Sequence, residues 1–456
     1  MSSAAEQLAS NLSWSNFSKA TELKARIWFT LGALLVYRLG TYIPLPGIDP
    51  EQLALIFNQQ SRGILGQLDL FAGGAVSRMS IFALSIMPYI SASIILTLAK
   101  AMSPKLDQMS KEGERGRQKF NQYTRYFTVL LAAVQGYAVA VSLMAAGDGN
   151  VVITPGIFFI VQTVITLTGG TIFLMWLGEQ ITQRGVGNGI SLIIFAGIVA
   201  NLPAALGQMF ELSADGALHP GILMLVVLIA IAVIVLIVFV ERAFRRVLVQ
   251  YPKRQVGQKQ FQDQQQYMPL KLNTAGVIPA IFASSLLLLP QTLATFGENS
   301  TSETVLFITT QLGRGQPLFI LIFSALIIFF AFFYTAIVFN PVETAENLKK
   351  YGGYIPGIRP GKNTAAYLDY ILTRLTLVGA IYLAFVCVLP EILIANLNSV
   401  SFLFGGTSIL IIVSVTIDTV GQIHSHLVAQ QYDSLLGGKQ GQAKRRDTKA
   451  KRRARR

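Results

Sequence analysis

Gly221-Ile-Leu-Met-Leu-Val-Val-Leu-Ile-Ala-Ile-Ala-Val-Ile-Val-Leu-Ile-Val-Phe-Val240 runs for twenty residues without a charge, an amide or a hydroxyl side chain. A helix rises about 1.5 Å per residue, so the run covers about 30 Å, the thickness of a bilayer's hydrocarbon core. Its limits are marked by His219-Pro220 before it and Glu241-Arg242 after it. A stretch of that length and purity reads as a helix that crosses a membrane.

Working outward, nine further apolar runs are long enough to do the same. They cover roughly 25–43, 79–99, 123–144, 155–178, 188–206, 274–293, 317–339, 371–392 and 402–421. The expected fold is therefore an all-α polytopic membrane protein with ten transmembrane helices. Composition agrees: of 456 residues 52% are hydrophobic and only 13% charged, which excludes a soluble enzyme. The single cysteine, Cys387, lies inside an apolar run and excludes a disulfide framework or thiolate zinc cluster within the chain. Of the three histidines, His219 stands alone and His424 and His426 are two apart, which puts them on different faces of a helix. No metal or other cofactor is expected. The glycine cluster Gly185-Val-Gly187-Asn-Gly189 lacks the preceding strand and following acid of a dinucleotide site, and no Walker-type lysine follows any glycine loop. The first apolar run begins only near Ile27, with no small-residue cleavage site behind it, so no removable signal peptide is expected.

The net charge of +14 is distributed unevenly. Placing the loops alternately on the two faces puts 33 of the 37 Lys and Arg on one of them. Only Arg38, Arg62, Arg78 and Arg314 fall elsewhere. Basic loops stay cytoplasmic, so both termini are expected there.

The non-basic external loop near Glu211 and Asp215 divides the ten runs into five and five, and an odd number per half inverts the second half relative to the first. The expected units are a cytoplasmic arm at 1–24, an N-terminal half at 25–206, an external hinge loop at 207–220, a C-terminal half at 221–421 and a cytoplasmic basic tail at 422–456. Such topology permits an inverted repeat with a site between the halves, as in many transporters, so a secondary transporter of a small solute is one reading. Against it, the middles of the runs hold no ionisable residue that could bind an ion or relay a proton. They hold isoleucines instead: Ile86 and Ile90 on one helical face, and Ile194, Ile281 and Ile411 near the centres of three other runs. Such residues pack helices or face lipid, or form an apolar ring that closes a pore by dewetting. An intramembrane hydrolase would need a base beside a nucleophile, and the serines of the second run have none nearby, so no enzyme is expected.

Three further features stand out. An external apolar piece, Ile64 to Val76, contains Gly66, Gly73 and Gly74 and one charge, Asp69; it is too short to cross and reads as a movable half-helix or a packed cap. Loop 241–271 alternates around Val247, Val249 and Tyr251 and reads as a short hairpin. Loop 340–370 sets Lys349, Lys350, Arg359 and Lys362 among prolines and glycines, which suits a docking surface as well as ordinary cytoplasmic charge. The tail from Lys439 is too basic to pack and fits anionic lipid, RNA or plain solvation.

The run Ser80-Ile-Phe-Ala-Leu-Ser-Ile-Met-Pro-Tyr-Ile-Ser-Ala-Ser-Ile94, Trp176-Leu-Gly-Glu-Gln180, Ala275-Gly-Val-Ile-Pro-Ala-Ile-Phe-Ala-Ser-Ser285, and Phe339-Asn-Pro through Pro356-Gly-Ile-Arg-Pro-Gly361 together resemble the SecY family, the central channel subunits of bacterial Sec translocons. The resemblance implies two inverted five-helix halves around a central pore that passes unfolded polypeptides across the inner membrane and releases apolar segments sideways into lipid. It implies a pore ring of Ile86, Ile90, Ile194, Ile281 and Ile411 and a plug containing Ile64, Leu65, Leu68, Leu70, Phe71, Gly73 and Gly74. It implies a lateral gate bearing Ser91, Thr97, Gln122, Asn273 and Thr274, and docking of the motor or ribosome at Lys253, Arg254, Lys259 and Arg359. Implied partners are the SecE and SecG subunits, the SecA motor ATPase, the ribosome, signal peptides and unfolded preproteins, membrane lipid, a YidC-type insertase and SecDF. The chain departs from the family's best-known members at Gln258 and Lys259, where they carry an Arg pair, and in its longer, more basic tail.

Overall fold

The computed structural model describes residues 21–60, 69, 72–145, 151–215, 219–251, 266–296, 316–396 and 407–429. Thirteen helices and one hairpin appear among them. They are α1 (Thr21–Gly40), α2 (Pro50–Gln60), α3 (Met87–Met102), α4 (Pro104–Lys111), α5 (Glu114–Ala145), α6 (Ile157–Arg184), α7 (Gly189–Ala214), α8 (Pro220–Glu241), β1 (Phe244–Val249), β2 (Gln266–Lys271), α9 (Ile278–Phe296), α10 (Pro317–Val338), α11 (Pro341–Lys350), α12 (Lys362–Asn396) and α13 (Thr407–Ala429).

Among the described residues seven helices are long and apolar enough to cross a membrane: α5, α6, α7, α8, the one containing α10, α12 and α13. The other three predicted runs coincide with α1, which carries Glu22, Lys24, Arg26 and Arg38, and with the shorter apolar helices α3 and α9. The starting run, 221–240, is α8 almost to the residue. Pro220 sits in its first turn, where a missing N–H costs nothing, and His219 Nδ1 accepts the Gly221 amide at 3.1 Å.

Elsewhere the ends differ from the hydropathy reading, each for a local reason. The second run, expected from 79, becomes helical only at Met87, with Pro88 in the first turn. Residues 79–86 form turns instead, with Met79 and Ser85 at positive φ, and pair back onto the chain after α1 through Leu45 N–H to Met79 O and Ile81 N–H to Ile43 O. The fifth continues through 207–214, a stretch expected as loop, because Met209 is buried against Val226 of α8. The ninth begins at Lys362 rather than 371: its first turns bury Leu368 and Ile371 beneath the hairpin, with Val247, Leu270 and Ile355. The expected hairpin is present, pairing Phe244 with Lys271 through Val249 with Gln266. A reciprocal Gln250–Tyr354 bridge with both bonds at 2.9 Å ties it to the following loop.

The main core runs along the axis of the bundle and draws on α1, α3, α6, α7, α8, α9, α10, α12 and α13. Phe82 stacks between Tyr37 and Phe173, locking the turn before α3 to α1 and α6. Gly170 lets that turn approach: a Cβ there would lie 2.0 Å from the Ile81 carbonyl oxygen.

Candidate functional site

The turn at 79–86 matters because of what it delivers. Ile86 ends it, Ile90 follows one helical turn later in α3, and both point at α7 and α9. There Ser85, Ile86, Met87, Ile90, Ile194 and Ile281 line one cavity. Four of the five isoleucines singled out from sequence thus meet at one place, from the turn before α3 and from α3, α7 and α9. The space they enclose has no room for a water-sized sphere, and the Ser85 hydroxyl is the one polar side-chain group in its lining. A pore closed by side chains of this kind would exclude water, and therefore ions. Ile411 of α13 is buried in the same core but does not line this cavity.

Asp69 and residues 72–77 abut this core, with Ala72, Ala75 and Val76 buried in it. Their chain path is held by backbone and side-chain bonds. One carboxylate oxygen of Asp69 accepts the Val76 and Ser77 amides, each at 2.9 Å, and the Asn201 amide of α7 donates to the Asp69 carbonyl at 3.3 Å. From α1, the Tyr37 hydroxyl donates to Ala72 O at 3.2 Å and the Arg38 guanidinium to Gly73 O. Gly73 has φ +68 and a Cβ there would lie 2.8 Å from the Gly197 Cα, so only glycine fits. Burial raises the Asp69 carboxyl above the usual carboxylate range, against the opposing pull of the Ser77 and Val76 amides and of Arg78. Of the predicted plug residues, Gly73 and Gly74 are in this anchored stretch; Ile64, Leu65, Leu68, Leu70 and Phe71 lie outside the described residues.

The predicted gate helices do meet: α9 packs on α3 and touches α5. The polar residues assigned to that seam behave differently from a bonded latch. Thr97 Oγ1 donates to Ser93 O at 2.6 Å in its own helix, Thr274 Oγ1 to Lys271 O at 3.1 Å, and Asn273 bonds Glu241 and Gly276. Ser91 is buried and Gln122 exposed. Thr97, Asn273 and Thr274 each bond within their own side of the seam.

Arg359 stands exposed in the Pro356–Gly361 turn, whose backbone is fixed by Thr364 Oγ1 donating to Arg359 O at 3.0 Å. Lys253, Arg254 and Lys259, with Gln258, lie outside the described residues, as does the expected basic tail from 430 onward, its first residues, 422–429, being the end of α13. Two features are not legible in the sequence. Arg125 and Glu179 form a bidentate pair at 2.9 and 2.6 Å that braces α5 to α6, and Arg38, one of the four basic residues off the basic face, reaches Gly73. The signal available for Arg38 was its membership of the few basic residues off the cytoplasmic face.

A bundle of spanning helices that gathers isoleucines around one apolar cavity, with a segment tied against its core, is the architecture of a polytopic membrane protein. Comparison places it more narrowly. A model of the SecY family matches residues 80–420, and the chain belongs to that family. It is 55% identical over 425 residues to the protein translocase subunit SecY of Rickettsia conorii, covering 92% of this chain and 98% of that one. To the subunit of the same name from Escherichia coli it is 51% identical over 417 residues, covering 91% and 94%. The fold matches a solved protein-conducting channel at a TM-score of 0.64, with 21% identity over 89% of this chain and 93% of that one. It also matches Sec61 in the canine ribosome–channel complex from the endoplasmic reticulum, at 0.62 and 20% identity with the same coverage.

Proposed function

We propose that this chain is the protein-conducting channel subunit of a SecYEG-type translocon, passing unfolded polypeptides across the bacterial inner membrane and releasing apolar segments sideways into lipid. The observation that carries the proposal is the throat: Ile86, Ile90, Ile194 and Ile281 close around a space with no room for water. Branched aliphatic side chains can part around any extended chain and meet again behind it, because they make no specific bonds that a given cargo must replace. The curated relatives carry the name of translocase subunits, which favours this reading over a small-solute transporter.

On this reading Asp69 and residues 72–77 anchor a plug against the throat from the external side, and α3 and α5 part from α9 and α10 to open the gate. The two cytoplasmic loops, with Arg359, offer the docking surface for the SecA motor or a ribosome; the canine relative was solved bound to a ribosome. SecE, SecG, a YidC-type insertase and SecDF are the further partners, and signal peptides, unfolded preproteins and lipid the ligands. The concentration of 33 of 37 basic residues on one face supports cytoplasmic termini.

The test is ionic conductance of the resting channel in reconstituted vesicles. Replacing Ile86, Ile90 and Ile194 together by Ser, which hydrates the throat and shortens three side chains, is expected to open a standing leak. Resting conductance equal to that of the unsubstituted channel would remove these residues from the seal.

A further inference from the structure

Glu241 is the carboxylate that ends the most apolar helix of the chain, and none of the roles above uses it. It sits half-buried at the end of α8, where three other elements converge on it. The Asn273 side-chain amide donates to Glu241 Oε1 at 2.8 Å from the turn between β2 and α9. Ser414 of α13 lies close enough to the same carboxylate to favour its charged form. Lys271, at the end of β2, reaches Asp418 of α13 at 3.9 Å, and both charges act on Glu241.

Asn273 is 4% exposed and fully engaged. Besides its bond to Glu241 it donates to Gly276 O and accepts from Gly276 N–H, both at 3.1 Å, closing the turn from which α9 departs. α12 backs the same turn, since Gly379 leaves room for the Leu272 carbonyl. The end of the cytoplasmic hairpin, the start of α9 and the end of α8 are therefore joined through one carboxylate.

We propose that Glu241 is a positioning residue for the gate: by holding Asn273 it fixes the cytoplasmic end of α9 against α8 and α13, so that displacement of the hairpin by a docked partner is transmitted to α9. The inference rests on the gate reading above. A buried amide donor held by a carboxylate is a strong and directional tether, so it stays formed until the hairpin is pulled. The ion pair of Lys271 with Asp418 is exposed and adds little of its own.

The test uses the full-length chain in its native membrane complex, with Cys387→Ala as background and Ile90→Cys plus Ile281→Cys as a pair across the throat. The readout is the rate of oxidant-driven disulfide formation in the idle channel. Glu241→Ala is expected to slow it roughly tenfold, the shift that loss of one hydrogen bond to a charged group produces. Glu241→Gln, which keeps an acceptor, should stay close to the parent. Asn273→Asp keeps the acceptor for the Gly276 amide but loses the donor, so it should behave like Glu241→Ala. Combining it with Glu241→Gln restores a donor and acceptor in reversed order and should recover the rate. An unchanged rate in Glu241→Ala and Asn273→Asp, or no recovery in the combination, overturns the proposal. Should Glu241→Ala fail to accumulate, Asn273→Asp and its rescue carry the decision alone. A second arm separates the two readings. If oxidising the Cys pair beside an intact Glu241 leaves export of a secretory protein running, the gate reading fails, whereas the dependence of the disulfide rate on Glu241 stands or falls by itself.

Discussion

At the scale of single residues, the chain spends polar side chains on backbone. Asp69, Tyr37, Arg38 and Asn201 all bond main-chain groups of Asp69 and residues 72–77, satisfying backbone that lies against the core. Asp69 has a consequence for pH. Burial lifts its carboxyl above the ordinary range, so the folded segment binds that proton more tightly than the released one does. Linkage then makes the anchor strongest below the ordinary carboxylate pKa, and the advantage is lost as pH rises through the raised folded value. Hydrogen exchange of the Val76 and Ser77 amides should accordingly show opening free energy falling as pH rises across that window. Asp69→Asn, which retains an acceptor oxygen without a charge to desolvate, should abolish the dependence. Opening free energy that rises with pH in the parent would contradict it.

At the scale of elements, each hydropathy run falls on a helix, seven of them long and apolar enough to cross among the described residues, but several begin and end elsewhere than the runs do. Hydropathy could not see that Pro88 fixes the start of α3, although proline's place in a first turn was there to be used. Nor could it see that α12 outlasts the membrane, because Leu368 and Ile371 read as the flank of an apolar run while their partners Val247, Leu270 and Ile355 come from two separate loops. The hairpin was legible from the alternation at Val247 and Val249, the two residues of β1 that are buried. Its seat was not. That seat predicts that Leu368→Ala, by opening a cavity under the hairpin, destabilises the docking of the loop by about 2–5 kcal/mol. Limited proteolysis should cut the 241–271 loop faster in that variant while α5 and α6 stay protected; equal cleavage rates would detach the hairpin from α12.

At the scale of the whole molecule, the isoleucines illustrate what a sequence can and cannot say. Spacing placed Ile86 and Ile90 on one face, but an aliphatic stripe looks the same whether it meets lipid, a neighbour or a pore, and only the family resemblance favoured the pore. The fold brings four of them, from segments far apart in sequence, to the lining of one cavity, which is the placement that the proposed pore needs. Ile411, chosen by the same likeness, is core beside that throat rather than lining. The pair Glu241 and Asn273 had no sequence signal at all, since nothing in a separation across a hairpin announces contact. The central claim is that polypeptide passes through this throat, and a photocrosslinking residue read into the chain tests it directly. With a secretory protein stalled in transit, crosslinks are expected from position 281 and from position 194, and not from Leu228, which stands 62% exposed on the outer face of α8. Crosslinks from Leu228 with none from 281 or 194 would place the path outside the bundle and contradict the account.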